Sequence, residues 1–388
     1  MNLRGRRIHV VGSAAPTCDE MKLTYGHTLV RALVDALGRC GANFVIPFGR
    51  EPLLRDRSDG PSIIFDWTVA ETIHELLEEG RAVSCGPNGR LIATIATSKT
   101  DANVPESRRA IYEDLRSREA ISTEFLEPGW TAGAIQRQRL AQLGDVLIGL
   151  SGGQGLEHLA IEYSTRGKPV IPLDLQLGSS SNDGSGGAAR LFDRALAHSS
   201  DFFKVHSRAA PADLLDRTRT RNGETPPNTV AAAIKTLLEA LKPPSAFYVR
   251  LLNTKSSDYA SVETFFRKTV EVLIAELGYD PVQMGIGENE FAWMNKAIFD
   301  SLHHSSVAIV DLTGLRPNCF MELGYALGNK QRVILTARDD TTFPFDAFAL
   351  EACLWSEDEA DAVRLEKLRK HWERNINMPT LVRSTEAR

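Results

Sequence analysis

The sequence predicts an α/β protein of two domains, each a mainly parallel sheet with flanking helices. Three observations predict it. Short β-branched runs, among them Arg7–Gly12, Asp145–Leu150 and Val307–Val310, end in glycine-containing turns and read as strands buried on both faces. Stretches with helical spacing alternate with them, and the order β-α-β calls for parallel pairing through right-handed crossovers. The chain of 388 residues exceeds one ordinary domain, and at roughly 100–200 residues per domain it holds two or three. The sheet type is Rossmann-like in both halves.

In the first half, Arg7–Gly12 is the first strand, and Gly12-Ser13 directly after it lets a phosphate approach backbone N–H groups. A helix follows over Thr24–Cys40, with Leu29, Ala32, Leu33, Ala36 and Leu37 at helical spacing, and Gly41 ends it. Asn43–Pro47 is the second strand, Phe65–Glu79 a helix, Leu91–Thr97 a strand, and Pro105–Arg118 and Thr131–Leu143 are helices. Asp145–Leu150 is a further buried strand. It runs into Ser151-Gly152-Gly153-Gln154-Gly155, then a helix to Thr165, then Gly167-Lys168-Pro169 and the strand Val170–Leu173. Three glycines between strand and helix permit close backbone approach, and a helix N-terminus attracts an anion. Gly12, Ser13, Gly152, Gly153, Gln154, Gly155 and Glu157 are therefore the candidate nucleotide-binding residues of this half. The Gly/Ser-rich stretch 178–187 has the composition of a loop or a lid, and Ala188–His198 is the next helix.

The expected boundaries are residues 1–208 for the first domain, 209–245 for a connector with one helix at Val230–Leu241, and 246–388 for the second domain. Lys242-Pro243-Pro244 breaks the chain there. The second domain opens with the strand Phe247–Leu252, a polar loop from Asn253, and a helix over Asp258–Leu277. Pro281–Met284 is a short strand and Glu290–His303 a helix. After Val307–Val310, Asp311 sits at a strand's carboxyl end, where ligands of open α/β sheets gather. Asn318 is the expected N-cap of a helix over Cys319–Leu327. Its spacing puts Asn318, Glu322, Tyr325 and Asn329 on one face and Leu323, Ala326 and Leu327 on another. Glu322 and Asp311 are the candidate catalytic groups. Asn318, Tyr325, Arg316, Asn253 and Arg250 are the candidate substrate-binding groups. Arg332–Thr336 is the following strand and Glu357–Glu373 a solvated helix.

Met321-Glu322-Leu323-Gly324-Tyr325-Ala326-Leu327 resembles the signature of the nucleoside 2-deoxyribosyltransferase family and its TIR-like relatives, over the last third of the chain. The resemblance implies that Glu322 acts at the anomeric carbon of a nucleoside or of NAD. It also implies that Phe343-Pro344-Phe345-Asp346 closes the pocket. The transferases place a second carboxylate six residues earlier, where this chain has Arg316, a group suited to a phosphate. The Gly12-Ser13 turn, the Gly152–Gly155 run and Gly167-Lys168-Pro169-Val170 are similar to the SLOG superfamily, over the first half. The LOG enzymes of that superfamily carry Pro-Gly-Gly-x-Gly-Thr-x-x-Glu. Here Ser151, Leu156 and Leu159 stand at the proline, threonine and glutamate, so the glycine cradle is kept and the catalytic carboxylate is not. The pair of resemblances implies a nucleotide sensor joined to an NAD-cleaving N-glycosidase, as in bacterial anti-phage proteins, with a site completed by oligomerisation. The alternatives are a non-catalytic nucleotide-binding regulator and a transferase or phosphoribohydrolase.

Composition narrows the partners. A net charge of −5 without a basic block argues against nucleic acid. Five cysteines, Cys18, Cys40, Cys85, Cys319 and Cys353, are odd in number and lack a Cys-x-x-Cys. Neither a disulfide framework nor a metal set is expected, and a reducing, cytoplasmic setting fits. No signal peptide or membrane span is read. The expected partners are a small-molecule nucleotide and further copies of the chain. No cofactor is implied, because NAD enters as substrate.

Overall fold

The computed structural model describes residues 3–56, 60–81, 91–126, 132–178, 187–206, 209–220, 225–283, 291–343 and 351–376. Contacts divide the chain into two units, Met1–Lys242 and Pro243–Val382. Both are α/β with parallel sheets, and no described helix is long and apolar enough to cross a membrane.

In the first unit the chain runs β1 Arg7–Val11, α1 Glu20–Gly38, β2 Asn43–Val45, α2 Asp66–Glu78, β3 Ile92–Ala96, α3 Thr100–Asn103 and α4 Glu106–Ser117. It continues through β4 Ile121–Phe125, α5 Ala132–Leu143, β5 Val146–Gly149, α6 Gln154–Ser164, β6 Val170–Pro172, α7 Gly187–Ala197, α8 Pro211–Asp216 and α9 Pro227–Ala240. The strands form one six-stranded sheet in the order β4-β3-β2-β1-β5-β6. Asp19 caps α1, its carboxylate accepting the Lys22 N–H at 3.0 Å. The apolar stripe Leu29, Val30, Leu33, Val34 and Leu37 is wholly buried, each side chain contributing about 1.5–3 kcal/mol of transfer free energy. The helix expected within a connector, α9, instead buries Val230, Ile234, Leu237 and Leu238 in this same core. Its alanine- and leucine-rich face needs such a partner, so residues up to Lys242 belong to the first unit.

The second unit runs β7 Ser245–Val249, α10 Tyr259–Phe265, a π-helical turn Phe266–Val270, α11 Glu271–Glu276, β8 Asp280–Val282, α12 Phe291–His304 and β9 Val307–Asp311. It ends with α13 Pro317–Gly328, β10 Arg332–Arg338, β11 Ala352–Trp355 and α14 Asp361–Asn375. Its five strands lie in the order β11-β10-β9-β7-β8. The helix expected without interruption over Asp258–Leu277 thus carries a π turn. That turn lets the consecutive Phe265 and Phe266 both enter the core, their rings perpendicular at 5.9 Å.

In each sheet the strand order reverses beside the first strand. The reversal lies between β1 and β5 in one unit and between β7 and β9 in the other. Ligands of such sheets bind in the crevice outside the carboxyl ends of those two strands.

Candidate functional site

The second unit's crevice is framed by the loop after β7 and the turn after β9. β9 ends on Asp311, which is 1% exposed. Its carboxylate accepts hydrogen bonds from the Thr313 N–H at 3.0 Å, Thr336 Oγ1 at 2.8 Å and Trp355 Nε1 at 3.0 Å. Burial pushes its pKa up, while those three donors pull it back. With every donor coming from protein, Asp311 is a lock across β9, β10 and β11. These bonds fix the carboxylate at the carboxyl end of β9.

The chain then turns through Gly314 and Leu315, both at positive φ, into α13. The helix starts at Pro317 with Arg316 as its N-cap residue, so Asn318 is not the cap. Proline lacks the N–H that would go unsatisfied at this position, and its fixed φ suits the first helical residue. Asn318 is exposed. Arg316 donates to Ser256 Oγ at 2.6 Å, and its buried Nε has no partner among the described residues. Arg338, at the end of β10, ties the two loops together. Its N–H bonds Thr313 Oγ1 at 2.9 Å, and its guanidinium bonds Asp258 at 2.8 Å and Ser261 at 3.1 Å.

Glu322 lies in the second turn of α13 and is half-buried. Among the described residues its carboxyl makes no hydrogen bond or ion pair, and burial raises its pKa to about 7. Cys319, one turn earlier, feels the charges of both Glu322 and Asp311. Burial is the main reason its thiol is pushed up to about 12. Tyr325, one turn later, bonds His303 Nδ1 at 2.9 Å and packs on Phe299 at 4.9 Å between ring centroids. The structure thus sets Asp311, Arg316, Asn318, Glu322 and Tyr325 along one strand end, the turn after it and one helix.

The other two candidates are engaged elsewhere. The Arg250 side chain is 5% exposed, pairs with Glu263 and Gln283, and lies over the Phe266 ring. Asn253 Oδ1 accepts the Lys255 N–H at 3.0 Å, an ordinary polar turn. Of the pocket-closing segment 343–346, residues 344–346 lie outside the described residues.

In the first unit, the β1 and β5 loops meet closely. A Cβ on Gly12 would stand 2.8 Å from Ser151 N, so only glycine fits there. Gly152 has φ +118 and lies against Ser13, which bridges to Ile64. Gly153 precedes α6, and Gln154 and Gly155 form its exposed first turn. Glu157 is paired with Arg190 of α7 at 2.8 Å. Leu159, where the LOG-type glutamate would stand, is core, at 3% exposed. Of the lid-like stretch 178–187, residues 179–186 lie outside the described residues, and the two ends are fixed. Gly178 lies beside Ala15, and the Gly187 N–H donates to the Gly152 carbonyl.

Ser256, Asp258 and Arg338 were not singled out from sequence. They are ordinary polar residues until the fold brings three loops together, and no local pattern announces them.

Each unit is thus an α/β fold with a switch point, carrying a glycine turn after β5 in the first and a half-buried carboxyl on the helix after β9 in the second. A family model described as ATP nucleosidase Cap17-like, N-terminal, matches residues 3–240, and the chain belongs to that family. The match is nearly coextensive with the first unit and does not reach Glu322. The chain is also similar to the ATP nucleosidase Cap17 of Escherichia coli strain KTE188. The two are 22% identical over 185 residues, 48% of this chain and 35% of that protein. A second Escherichia coli protein of the same name gives the same figures. The chain covers about a third of the length of these curated relatives.

Proposed function

We propose that this chain is a nucleotide N-glycosidase whose first unit binds a nucleotide and whose Glu322 works at the anomeric carbon. The observation that carries the reading is Glu322 itself, a half-buried carboxyl without a hydrogen-bond or ion-pair partner among the described residues, on the helix that follows the switch-point strand. A group held near neutral pKa is suited to proton transfer at physiological pH. The relatives' name adds ATP as the substrate class, and a purine nucleotide makes use of such a group. Adenine leaves as a poor anion unless a proton reaches it.

In the proposed step the C1′–N9 bond breaks and its electron pair goes to the base. The Glu322 carboxyl gives up its proton to the departing base. The resulting carboxylate faces the ribosyl cation and stabilises it. Water then adds to C1′ and returns a proton to Glu322. Arg316, at the N-terminus of α13 with its Nε unpartnered among the described residues, is the candidate phosphate ligand. Asn318 and Tyr325 are the candidate ribose contacts.

NAD is the second reading, favoured by one observation. The position six residues before Glu322 is Arg316 rather than a second carboxylate. A cationic nicotinamide departs without protonation, so one carboxylate suffices. The first unit, with its glycine turn and without the LOG-type glutamate, is read as the regulatory site for a nucleotide signal, acting through assembly of further copies. Depletion of cellular nucleotide during phage infection is the biological role that fits.

The test is direct. Purified protein is incubated with ATP, GTP or NAD, with and without cyclic nucleotides, and free base is followed by chromatography. Release of adenine from ATP supports the first reading, and nicotinamide from NAD the second. No release under any condition supports a binding-only regulator.

A further inference from the structure

The loop after β1 carries a knot of contacts in the first unit. The Ala14 N–H donates to the Ile63 carbonyl at 2.7 Å and the Ala15 N–H to Leu177 at 2.8 Å. Ser13 pairs with Ile64. Phe65 and Leu177 both press on Gly26, where an added Cβ would lie 3.1 and 3.4 Å from them. Asp66 follows immediately and opens α2. It is 9% exposed, its Oδ1 is fully enclosed, and it has no hydrogen bond or ion pair among the described residues. Ser151, whose backbone abuts Gly12 on the other side of the same β1 loop, is 3% exposed and its Oγ is likewise without a partner. Ser151 thus lies at the switch point between β1 and β5, and Asp66 lies two residues beyond Ile64, the bridge partner of Ser13, each with an enclosed polar atom that has no partner among the described residues.

A carboxylate in a first helical turn gains from the helix dipole when it stays in water. Enclosed without a donor, it costs stability instead. A chain keeps such a group where function uses it, and local rules fail most often at functional positions. A carboxylate accepts hydrogen bonds, and the vicinal hydroxyls of a ribose supply two donors side by side.

We infer that Asp66 is a binding residue of the first unit's crevice, accepting the ribose hydroxyls of a nucleotide whose phosphate lies on the Gly152–Gly155 turn. The inference rests on the proposed nucleotide binding by this unit, and adds the group that reads the sugar. Asp66 thereby distinguishes a ribonucleotide from a 2′-deoxyribonucleotide.

The test uses the full chain carrying Glu322→Gln, so that nucleotide is not consumed, with ATP, 2′-deoxyATP and ITP as calorimetric probes. Gly155→Glu is the control for the phosphate position. A Cβ there meets no atom within 4 Å, and a thermal melt checks that the variant folds; its added negative charge opposes an anion at the start of α6. The expected result is loss of one ATP-binding event in Gly155→Glu. Asp66→Asn and Asp66→Ala are expected to weaken ATP at the same event about tenfold or more, with 2′-deoxyATP little changed. Both Asp66 variants are expected to melt at or above the parent's temperature, the opposite of what loss of a structural contact would do. If Gly155→Glu leaves every ATP-binding event intact, nucleotide binding by the first unit is itself wrong. If Gly155→Glu removes the event but the Asp66 variants still prefer ATP over 2′-deoxyATP as the parent does, the role of Asp66 is overturned. An equal loss of ATP and 2′-deoxyATP with ITP spared assigns Asp66 to the base and also overturns it.

Discussion

Asp311 and Glu322 are two carboxyls of one crevice with opposite circumstances. Asp311 is enclosed by three donors, and Glu322 by none among the described residues. Asp311→Ala would leave the Thr313 N–H, the Thr336 hydroxyl and the Trp355 indole buried and unsatisfied. Chemical denaturation should show a loss of about 3–5 kcal/mol, because removing one partner of a buried charged network strands the others. Glu322→Gln should cost little stability, and its pH dependence has a definite sign. Burial raises Glu322 from 4.5 to about 7, and Asp66 from 3.8 to about 7, so the folded state holds protons that the unfolded state releases. Their contribution is fully present below about pH 4. It is lost as pH rises through about 7. Glu322→Gln and Asp66→Asn should therefore gain stability relative to the parent between those limits, and denaturation at pH 4.5 and 7.5 measures it. If Glu322 is the acid for a neutral base, turnover of ATP should fall as pH rises above about 7.

Elements carry the next level. Asn318→Ala should change stability by no more than about 0.5 kcal/mol, because Arg316 and Pro317 begin α13 and Asn318 is exposed. Gly12→Ala should destabilise by about 1–3 kcal/mol, since a methyl group there would meet the Ser151 backbone. Thermal melts of both variants check the contrast. These elements also mark what was legible in sequence. The central strands β1, β5, β7 and β9 were readable because parallel strands buried on both faces are continuous apolar runs. The strands β4 and β11 went unread. They lie at the sheet edges; Ile-Ser-Thr-Glu-Phe is interrupted by polar residues, and Ala-Cys-Leu-Trp is only four residues long with no β-branched side chain. Glu322 was found through its motif. The partnering of Asp311 was not, because its three donors come from residues up to 44 positions away in sequence. The burial of Asp66 has no local signal, because an acid in a first helical turn is ordinary in an exposed helix.

At the scale of the whole molecule, the chain is two sheets with separate cores. The first unit's core includes α9, so a fragment 1–242 should unfold in one cooperative transition by calorimetry. A fragment 1–208 should be insoluble or molten. It lacks Val230, Ile234, Leu237 and Leu238, which are buried against the rest of that core. The family match covers that first unit, whereas the proposed chemistry lies in the second. Their division of labour is the central claim, and one comparison tests it most directly. Free base released from ATP and from NAD is measured for the parent chain and for Glu322→Gln, with nucleotide binding recorded in parallel. The account predicts base release by the parent, a fall of about 10²–10⁴-fold in the variant, and binding retained in both. Release undiminished in Glu322→Gln would place the reaction elsewhere in the chain and contradict it.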